Sequence, residues 1–186
     1  MQVKGTAFIS RRDETIKKFG QDAWDKFIED VSKKIPFFSN SILTTTLIPL
    51  SDFLKLQDEF LKTFHNGNEK AFWEMGEASA QFSLTEGPYK PYLSSGNINE
   101  FITSKLPLVF KAYYVDCGKF EATIEGNKCT LKGVEIPVPH IYFEYTVVGY
   151  FKRATELIGA KLSQLKKVKS IVEGDQTTFI YEATLG

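Results

Sequence analysis

The sequence predicts an α+β fold, in which N-terminal helices are followed by a twisted antiparallel sheet with a C-terminal helix inserted between its strands. The first observation is the helical spacing of apolar residues over much of residues 1–115. The second is the alternation of apolar and polar residues around Gly126 and Asn127, which is typical of a β-hairpin. The third is the order strand, helix, strand, strand in residues 141–185, which lets a helix pack on a hairpin.

The first 50 residues predict short elements. Asp13 can cap a helix with its carboxylate, and Pro36 stops another helix because proline lacks a backbone N–H. The predicted elements are a strand over residues 3–9, helices over residues 14–19 and 22–33, and a loop with some helix over residues 37–50.

Two amphipathic helices are predicted next, over residues 51–64 and 69–82. Ser51 can cap the first helix, and the Asn-Gly-Asn sequence of residues 66–68 ends it. Small residues such as Gly76 lie on the apolar face of the second helix. They either allow another helix to approach closely or leave room for a ligand.

A long apolar helix over residues 98–115, capped by Asn97, is expected to be the central helix. Pro107 lies inside it and should bend its axis or delay its start. The preceding residues 86–97 are rich in Gly, Pro and Ser and predict a loop. This loop is either an ordered surface crossing, or a lid or partner contact.

A two-residue turn at Gly126 and Asn127 would fix the register of the hairpin. The strands over residues 120–124 and 129–131 then have these opposite pairs: Glu125 with Lys128, Ile124 with Cys129, Ala122 with Leu131, and Glu121 with Lys132. Cys117 lies many residues from Cys129 along this ladder, so we expect no disulfide, as is typical of a reducing compartment.

The last third of the chain predicts a strand over residues 141–148, a break at Gly149, a helix over residues 150–160, and strands over residues 165–172 and 177–183. A short turn at Gly174 and Asp175 should join the last two strands. This register places Lys167 opposite Glu182, so ion pairing across the hairpin would explain much of the basic run.

Composition predicts one domain, residues 1–186, with a helical part over about 1–115 and a sheet-rich part over about 116–186. Its 23 basic and 23 acidic residues cancel, which disfavours nucleic acid as a partner. Apolar runs fall short of the roughly 20 residues of a membrane span, and the N-terminus lacks the apolar core of a signal peptide. We therefore expect a cytoplasmic protein with no membrane span.

Motifs that carry catalysis or hold phosphates were not found in the sequence. His65 and His140 have no Cys or His at ligand spacing, so the sequence predicts no metal site and no cofactor. A nucleophile, a base and an orienting residue cannot be assigned together, which favours a protein that is not an enzyme.

Both ends of the chain resemble a known superfamily. The start, Lys4-Gly5-Thr6-Ala7-Phe8-Ile9-Ser10 through Lys18-Phe19-Gly20, is similar to the opening of heme-nitric-oxide/oxygen sensor domains. The end, from Glu144-Tyr145 through Leu157-Ile158-Gly159-Ala160-Lys161 to Phe179-Ile180-Tyr181-Glu182, resembles the bacterial superfamily that joins those sensors to 4-vinyl-reductase-type domains and TRAPP tethering subunits. The resemblance implies a heme-NO-binding/TRAPP-like fold.

In the heme sensors, the matching central helix supplies an iron-ligating histidine, and a Tyr-x-Ser-x-Arg strand motif holds the heme propionates. Here Val109 and Phe110 fall at the histidine position, and the strand motif becomes Tyr145-Thr146-Val147-Val148-Gly149, without the arginine. Arg11 falls where some sensors have an aromatic residue in the distal pocket. The resemblance therefore implies a member without heme.

The first functional hypothesis is a sensory or ligand-binding domain that takes up a lipid-like or aromatic small molecule between the central helix and the sheet. Its candidate ligand-binding residues are Phe8, Phe72, Met75, Phe101, Leu106, Phe110, Tyr113 and Tyr145. The same residues would also fill a solid core. A sensor of this length would signal through a protein partner or a homodimer.

The second hypothesis is a protein-interaction or dimerisation module with a filled core, as the TRAPP resemblance implies. Its mark would be an exposed apolar patch, with Trp24, Phe37, Phe38 and Trp73 as candidates.

Overall fold

The computed structural model describes residues 1–186, apart from the side chain of Ser95, and has the predicted α+β class. Two compact units are distinguished: Met1–Ala71 with Tyr113–Asp116, and Phe72–Ala112 with Cys117–Gly186. The elements are β1 (Gln2–Lys4), α1 (Gly5–Phe19), α2 (Gln21–Lys34), β2 (Leu47–Pro49), α3 (Leu50–His65), α4 (Lys70–Thr85), α5 (Ile98–Glu100), α6 (Leu106–Tyr113), β3 (Tyr114–Val115), β4 (Lys119–Glu125), β5 (Lys128–Val134), α7 (Ile141–Leu157), β6 (Leu162–Lys169) and β7 (Phe179–Leu185).

The first unit combines helices α1 to α3 with a small antiparallel sheet of order β2-β1-β3. Val3 of β1 pairs with Ile48 and with Tyr114, and the first two of these side chains are fully buried. Phe27 of α2 contacts the rings of Trp24 and Phe60 at centroid distances of 5.5 and 5.7 Å. The interior of this unit is therefore largely aromatic.

The predicted strand over residues 3–9 is wrong beyond residue 4, because α1 already begins at Gly5. A Cβ at Gly5 would lie 1.9 Å from the Leu43 carbonyl oxygen, so only glycine fits this close approach. Phe8, Arg11 and Thr15 are buried at helical spacing, and this packing overrides the local strand preference. Asp13, the expected cap, lies inside the helix.

The next three predicted helices are confirmed, with ends shifted by one to three residues. Asn66 ends α3 in the left-handed conformation, as its turn sequence indicates. The two predicted loops each contain a short 3₁₀ helix, Pro36–Ser39 in one and Lys90–Ser95 in the other. The first loop also contributes β2.

The predicted central helix is divided into α5, a π-helical stretch Phe101–Lys105, and α6. Asn97 caps α5 as predicted, since its side chain accepts the Glu100 N–H at 3.0 Å. Leu106 donates its N–H to the Phe101 carbonyl, five residues back. This wider turn directly precedes Pro107, which cannot donate to a helical carbonyl. The last two residues of the prediction instead form β3.

The second unit contains an antiparallel sheet of order β4-β5-β7-β6 and most residues of helices α4 to α7. The predicted hairpin register is confirmed at all four of its pairs: Glu125 with Lys128, Ile124 with Cys129, Ala122 with Leu131, and Glu121 with Lys132. No disulfide joins Cys117 and Cys129, and both side chains are fully buried.

The predicted strand over residues 141–148 is wrong, because these residues form the first half of α7. His140 caps this helix, since its Nδ1 accepts the Tyr142 N–H at 3.1 Å. Gly149 does not break the chain but lies inside α7, where a Cβ would come within 2.4 Å of the Trp73 carbonyl oxygen. Tertiary packing thus overrides the β-branched and aromatic composition of the segment.

The last two strands form the predicted hairpin in a shifted register. Lys166, not Lys167, lies opposite Glu182, and register irregularities flank both lysines. Glu182 forms its ion pair with Lys128 on the neighbouring strand, at 2.9 Å. Residues 170–178 form a longer connection than the predicted short turn.

None of the helices among the described residues combines the length and the apolar character that crossing a membrane requires.

Candidate functional site

The eight predicted ligand-binding residues are divided between the two units. Phe8 and Tyr113 belong to the first unit, and the second unit contains Phe72, Met75, Phe101, Leu106, Phe110 and Tyr145. Phe8 is 5 % exposed, and its ring lies 5.5 Å from the rings of both Trp24 and Phe38. It therefore contributes to the core of its unit.

The predicted residues of the central segment are buried in the second unit. Phe101 is fully buried, and Leu106 and Phe110 are almost so. The Phe110 ring lies 6.3 Å from Phe120 of β4, and Phe120 lies 5.7 Å from Phe151 of α7. Contacts between aromatic rings thus run from the central segment through β4 of the sheet to α7.

The remaining predicted residues lie where α4 meets α7. Phe72 packs edge-on against Tyr142 at 5.2 Å, Met75 is buried, and Tyr145 is half-buried. A Cβ at Gly76 would lie 2.1 Å from the Thr146 carbonyl oxygen. Gly76 therefore allows α7 to approach α4 closely, which is the first of the two interpretations of the small residues in α4.

Glu144 of α7 is a buried acidic residue whose surroundings could not be predicted from the sequence. It is fully buried, and its carboxylate accepts hydrogen bonds from Ser170 Oγ at 2.7 Å, the Ile171 N–H at 2.8 Å and Tyr181 Oη at 2.5 Å. Burial and, secondarily, the hydrogen bond to Glu144 raise the pKa of Tyr181 well above its usual range. The sequence does contain one indication of this burial, because Glu144 is the only charged residue in the largely apolar segment 141–148.

The Glu144 cluster joins α7 to the connection that follows β6. Lys167 Nζ lies 3.9 Å from Glu144 Oε1, so a partly exposed cation stands near the buried carboxylate. Ser170, the hydroxyl beside this carboxylate, is only 1 % exposed. Because a substrate could not reach a hydroxyl so deeply buried, the arrangement is structural.

Thr146 Oγ1 in α7 and Gln57 Oε1 in α3 are buried polar atoms without a hydrogen-bond partner among the described residues. Thr146 is 6 % exposed and Gln57 is 1 % exposed. Buried polar groups are nearly always satisfied, so each atom marks a place where a water or a ligand would bind favourably.

The donor set does not suit a metal ion. Within the described part of the chain, no three His, Cys, Asp or Glu residues are grouped so that they could hold one. His140 uses Nδ1 to cap α7, and His65 packs against the rings of Phe19 and Phe60. Burial raises the pKa of the Cys129 thiol to about 11, which disfavours the thiolate needed for ligation.

The donor set does not suit heme either. Residues 98–113, the central segment, contain no histidine, and Val109 is buried there beside Phe110. The chain has three arginines, and each engages a neighbour: Arg11 with Glu14, Arg12 with Asp13, and Arg153 with Gln81 and Glu156. Tyr145 to Gly149, the residues compared with the strand motif, lie in helix α7, and only the tyrosine of that motif is present.

The four residues expected on an exposed patch do not form one. Trp24 and Phe38 are each 4 % exposed, and Phe37 and Trp73 are half-buried. The Trp73 indole donates a hydrogen bond to Glu77 at 3.1 Å. Trp24 and Phe38, two of the candidates for an exposed patch, instead pack in the aromatic interior of the first unit.

The chain is similar to known proteins in structure, and the similar solved structures are H-NOX proteins. No family model matches the chain, and no curated protein matches it. An H-NOX protein from S. oneidensis in the Fe(II)NO ligation state is similar, with a TM-score of 0.75 and 12 % identity over 98 % of this chain and 99 % of that one. An Fe(II) unliganded H-NOX protein from K. algicida has a TM-score of 0.73 and 16 % identity over 98 % and 96 %. These likenesses show that the chain has the fold of the H-NOX domains.

Proposed function

We propose that the chain is a heme-free, non-enzymatic sensory or ligand-binding domain of the cytoplasm that takes up a small apolar or aromatic molecule and signals through protein contacts. The observation that carries the proposal is the replacement of heme-binding donors by apolar side chains in a chain with the H-NOX fold. Residues 1–186 would act as one domain, as the composition predicts.

The side chains of the second unit support an apolar ligand. Phe101, Leu106 and Phe110 offer hydrocarbon and aromatic surface, which favours molecules without charge. Arginine, the usual partner of a propionate or another carboxylate, is present in this unit only as Arg153, whose guanidinium bonds Gln81 at 2.7 Å. A carboxylate ligand would therefore find the one arginine of this unit already engaged.

Thr146 supports a single polar group on that ligand. Its buried hydroxyl has no partner among the described residues, and its carbonyl lies against Gly76, the residue after Met75. An unsatisfied buried hydroxyl costs about 1–3 kcal/mol, which a ligand hydroxyl or carbonyl would recover. We therefore propose a phenol-like or fatty molecule with one hydrogen-bonding group.

Native mass spectrometry of the purified chain tests this function. The proposal predicts an added mass corresponding to a small apolar molecule, and a melting temperature that rises when this molecule is added back. Thr146→Val should weaken its binding about tenfold, as the loss of one hydrogen bond does, whereas Thr123→Val, at an exposed position of β4, should not. An empty protein that gives no thermal shift with fatty acids or phenols would contradict the proposal.

The second candidate, a protein-interaction or dimerisation module with a filled core, is favoured by the contacts among Phe110, Phe120 and Phe151. These rings occupy space that a ligand would need. Light scattering separates the two candidates, because a module of this kind forms a homodimer or binds a partner protein without any small molecule. A strict monomer at high concentration would count against it.

A further inference from the structure

One edge of the sheet in the second unit is strongly basic. Residues 161–169 contain four lysines and no acidic residue, whereas the basic and acidic residues of the whole chain cancel. All but the first of these residues form β6, the last strand in the order β4-β5-β7-β6, which pairs with β7 on one side. We call residues 161–169 the lysine edge. Its positive charge lies at the border of the sheet, where another chain can approach.

The irregular register of β6 brings two of these lysines onto one face of the sheet. Lys166 pairs with Glu182, and Lys169 pairs with Ile180, two residues away on β7. Side chains two residues apart on a strand point to the same face, so both lysines lie on the face of Glu182 and Ile180. Val168 lies in the shifted stretch between them and is 51 % exposed. The lysine edge thus places two cations next to an exposed apolar side chain.

The acidic residues near the lysine edge neutralise only part of its charge. Glu182, opposite Lys166, forms its ion pair with Lys128 at 2.9 Å. Lys169 Nζ lies 2.7 Å from a carboxylate oxygen of Asp175. Lys166 itself is exposed, and no acidic residue in the described part of the chain forms an ion pair with it. Its ammonium group is therefore open to a carboxylate of another molecule.

We propose that the lysine edge binds an extended acidic segment of a partner protein. Carboxylates of that segment pair with Lys166 and Lys169, and an apolar side chain between them covers Val168. Lysines at a sheet edge oppose pairing with strands in general. Here they exclude a second copy of β6, which carries the same charge, and they favour a strand that carries acidic residues.

An acidic protein segment suits the lysine edge better than an anionic membrane does. Basic surfaces that bind membranes bury Trp, Phe or Leu side chains in the headgroup region. The exposed apolar residues here are Val168 and, just beyond the lysine edge, Val172, which is 47 % exposed. These side chains offer little hydrocarbon to a lipid layer. The free side of an edge strand can also pair with an extended backbone, which a lipid lacks.

The test is a titration of the ¹⁵N-labelled whole chain with an octapeptide of alternating glutamate and valine, followed by two-dimensional amide NMR. We expect saturable shifts of the amide signals of residues 161–169, and binding that weakens as salt rises from about 50 to about 300 mM. The same peptide with glutamine in place of glutamate is the control ligand and should give no saturable shifts. Equal binding of the two peptides, or no saturation with the acidic one, would overturn the proposal.

Lys166→Gln combined with Lys169→Gln should keep the fold and bind the acidic peptide about fivefold less tightly, as the loss of two exposed ion pairs does. Lys17→Gln combined with Lys18→Gln, at exposed positions of α1, removes the same charge elsewhere and should bind as the parent does. Unchanged binding by the first variant, or equal weakening in both, would also contradict the proposal. Circular dichroism confirms that each variant is folded.

Binding of a partner at the lysine edge rests on the proposed function, which includes signalling through protein contacts. The peptide titration uses no small molecule, so its failure would leave the predicted ligand mass and thermal shift standing. Sedimentation with phosphatidylserine vesicles gives the remaining comparison, and the chain should stay in the supernatant. Sedimentation that Lys166→Gln combined with Lys169→Gln abolishes, without binding of the acidic peptide, would assign the lysine edge to a membrane and refute the proposal.

Discussion

Tyr181 donates a 2.5 Å hydrogen bond to the buried carboxylate of Glu144, although 37 residues separate them in the sequence. Glu144 lies in the first turn of α7, and Tyr181 lies on β7. The bond therefore fixes the start of the helix to the inner face of the sheet. Two further donors, Ser170 and the Ile171 N–H, complete the coordination of the carboxylate.

Tyr181→Phe should destabilise the protein by about 1.5–3 kcal/mol, because a hydrogen bond to a buried charged group is lost. Glu144→Gln should cost more, since its amide N–H₂ would face groups that themselves donate. Urea unfolding followed by circular dichroism measures both changes. Phe179→Leu, a substitution on the same strand without a polar role, controls for packing, and equal stability of Tyr181→Phe and the parent would contradict the assignment.

Stability should fall at alkaline pH. The folded state raises the pKa of Tyr181 above its ordinary value of about 10, so the folded chain holds this proton more tightly than the unfolded chain. The contribution is fully present below about pH 10 and is lost as the pH rises through the folded pKa. Tyr181→Phe should show a shallower decline than the parent, and the free energy of unfolding as a function of pH measures the slopes. Parallel slopes would refute the prediction.

Gly76→Ala should destabilise the second unit by about 1–3 kcal/mol or more, because the new methyl group meets a backbone that cannot turn aside. The contact is with the Thr146 carbonyl oxygen, at 2.1 Å from the added Cβ. Thermal unfolding tests the change against Ser79→Ala, a substitution on the same helix that adds no atoms. The prediction fails if Gly76→Ala melts at the temperature of the parent.

His140→Ala should cost about 1 kcal/mol, the usual value of an N-cap, since the Tyr142 N–H loses its acceptor. His140→Asn keeps an acceptor at a position where asparagine is a favoured cap, so its stability should stay close to that of the parent. Chemical unfolding of the two variants compares them directly. If both variants lose the same stability, the role of His140 is in packing against Phe72 rather than in capping.

The sequence predicted those parts of the fold that local chemistry determines. The turn at Gly126 and Asn127 fixes the β4–β5 register, and Asn97 caps its helix, because both depend on residues within a few positions. Residues 141–148 were misread as a strand because the β-branched run is helical only through its packing against α4, where Gly149 meets the Trp73 backbone.

The candidate site was less predictable for the same physical reason. Burial of Phe72, Phe101 and Phe110 follows from their apolar character, but whether they surround a ligand or each other is a property of packing. Glu144 was missed because its three donors come from residues 170, 171 and 181, which no local pattern connects to it. The unsatisfied Thr146 and Gln57 atoms likewise appear only in three dimensions.

The absorption spectrum of the chain after addition of hemin tests the central claim most directly. A domain whose central segment presents Val109 and Phe110 in place of an iron ligand should leave the spectrum of free hemin unchanged at every ratio of protein to hemin. A sharpened Soret band that saturates at one heme per chain would contradict the account.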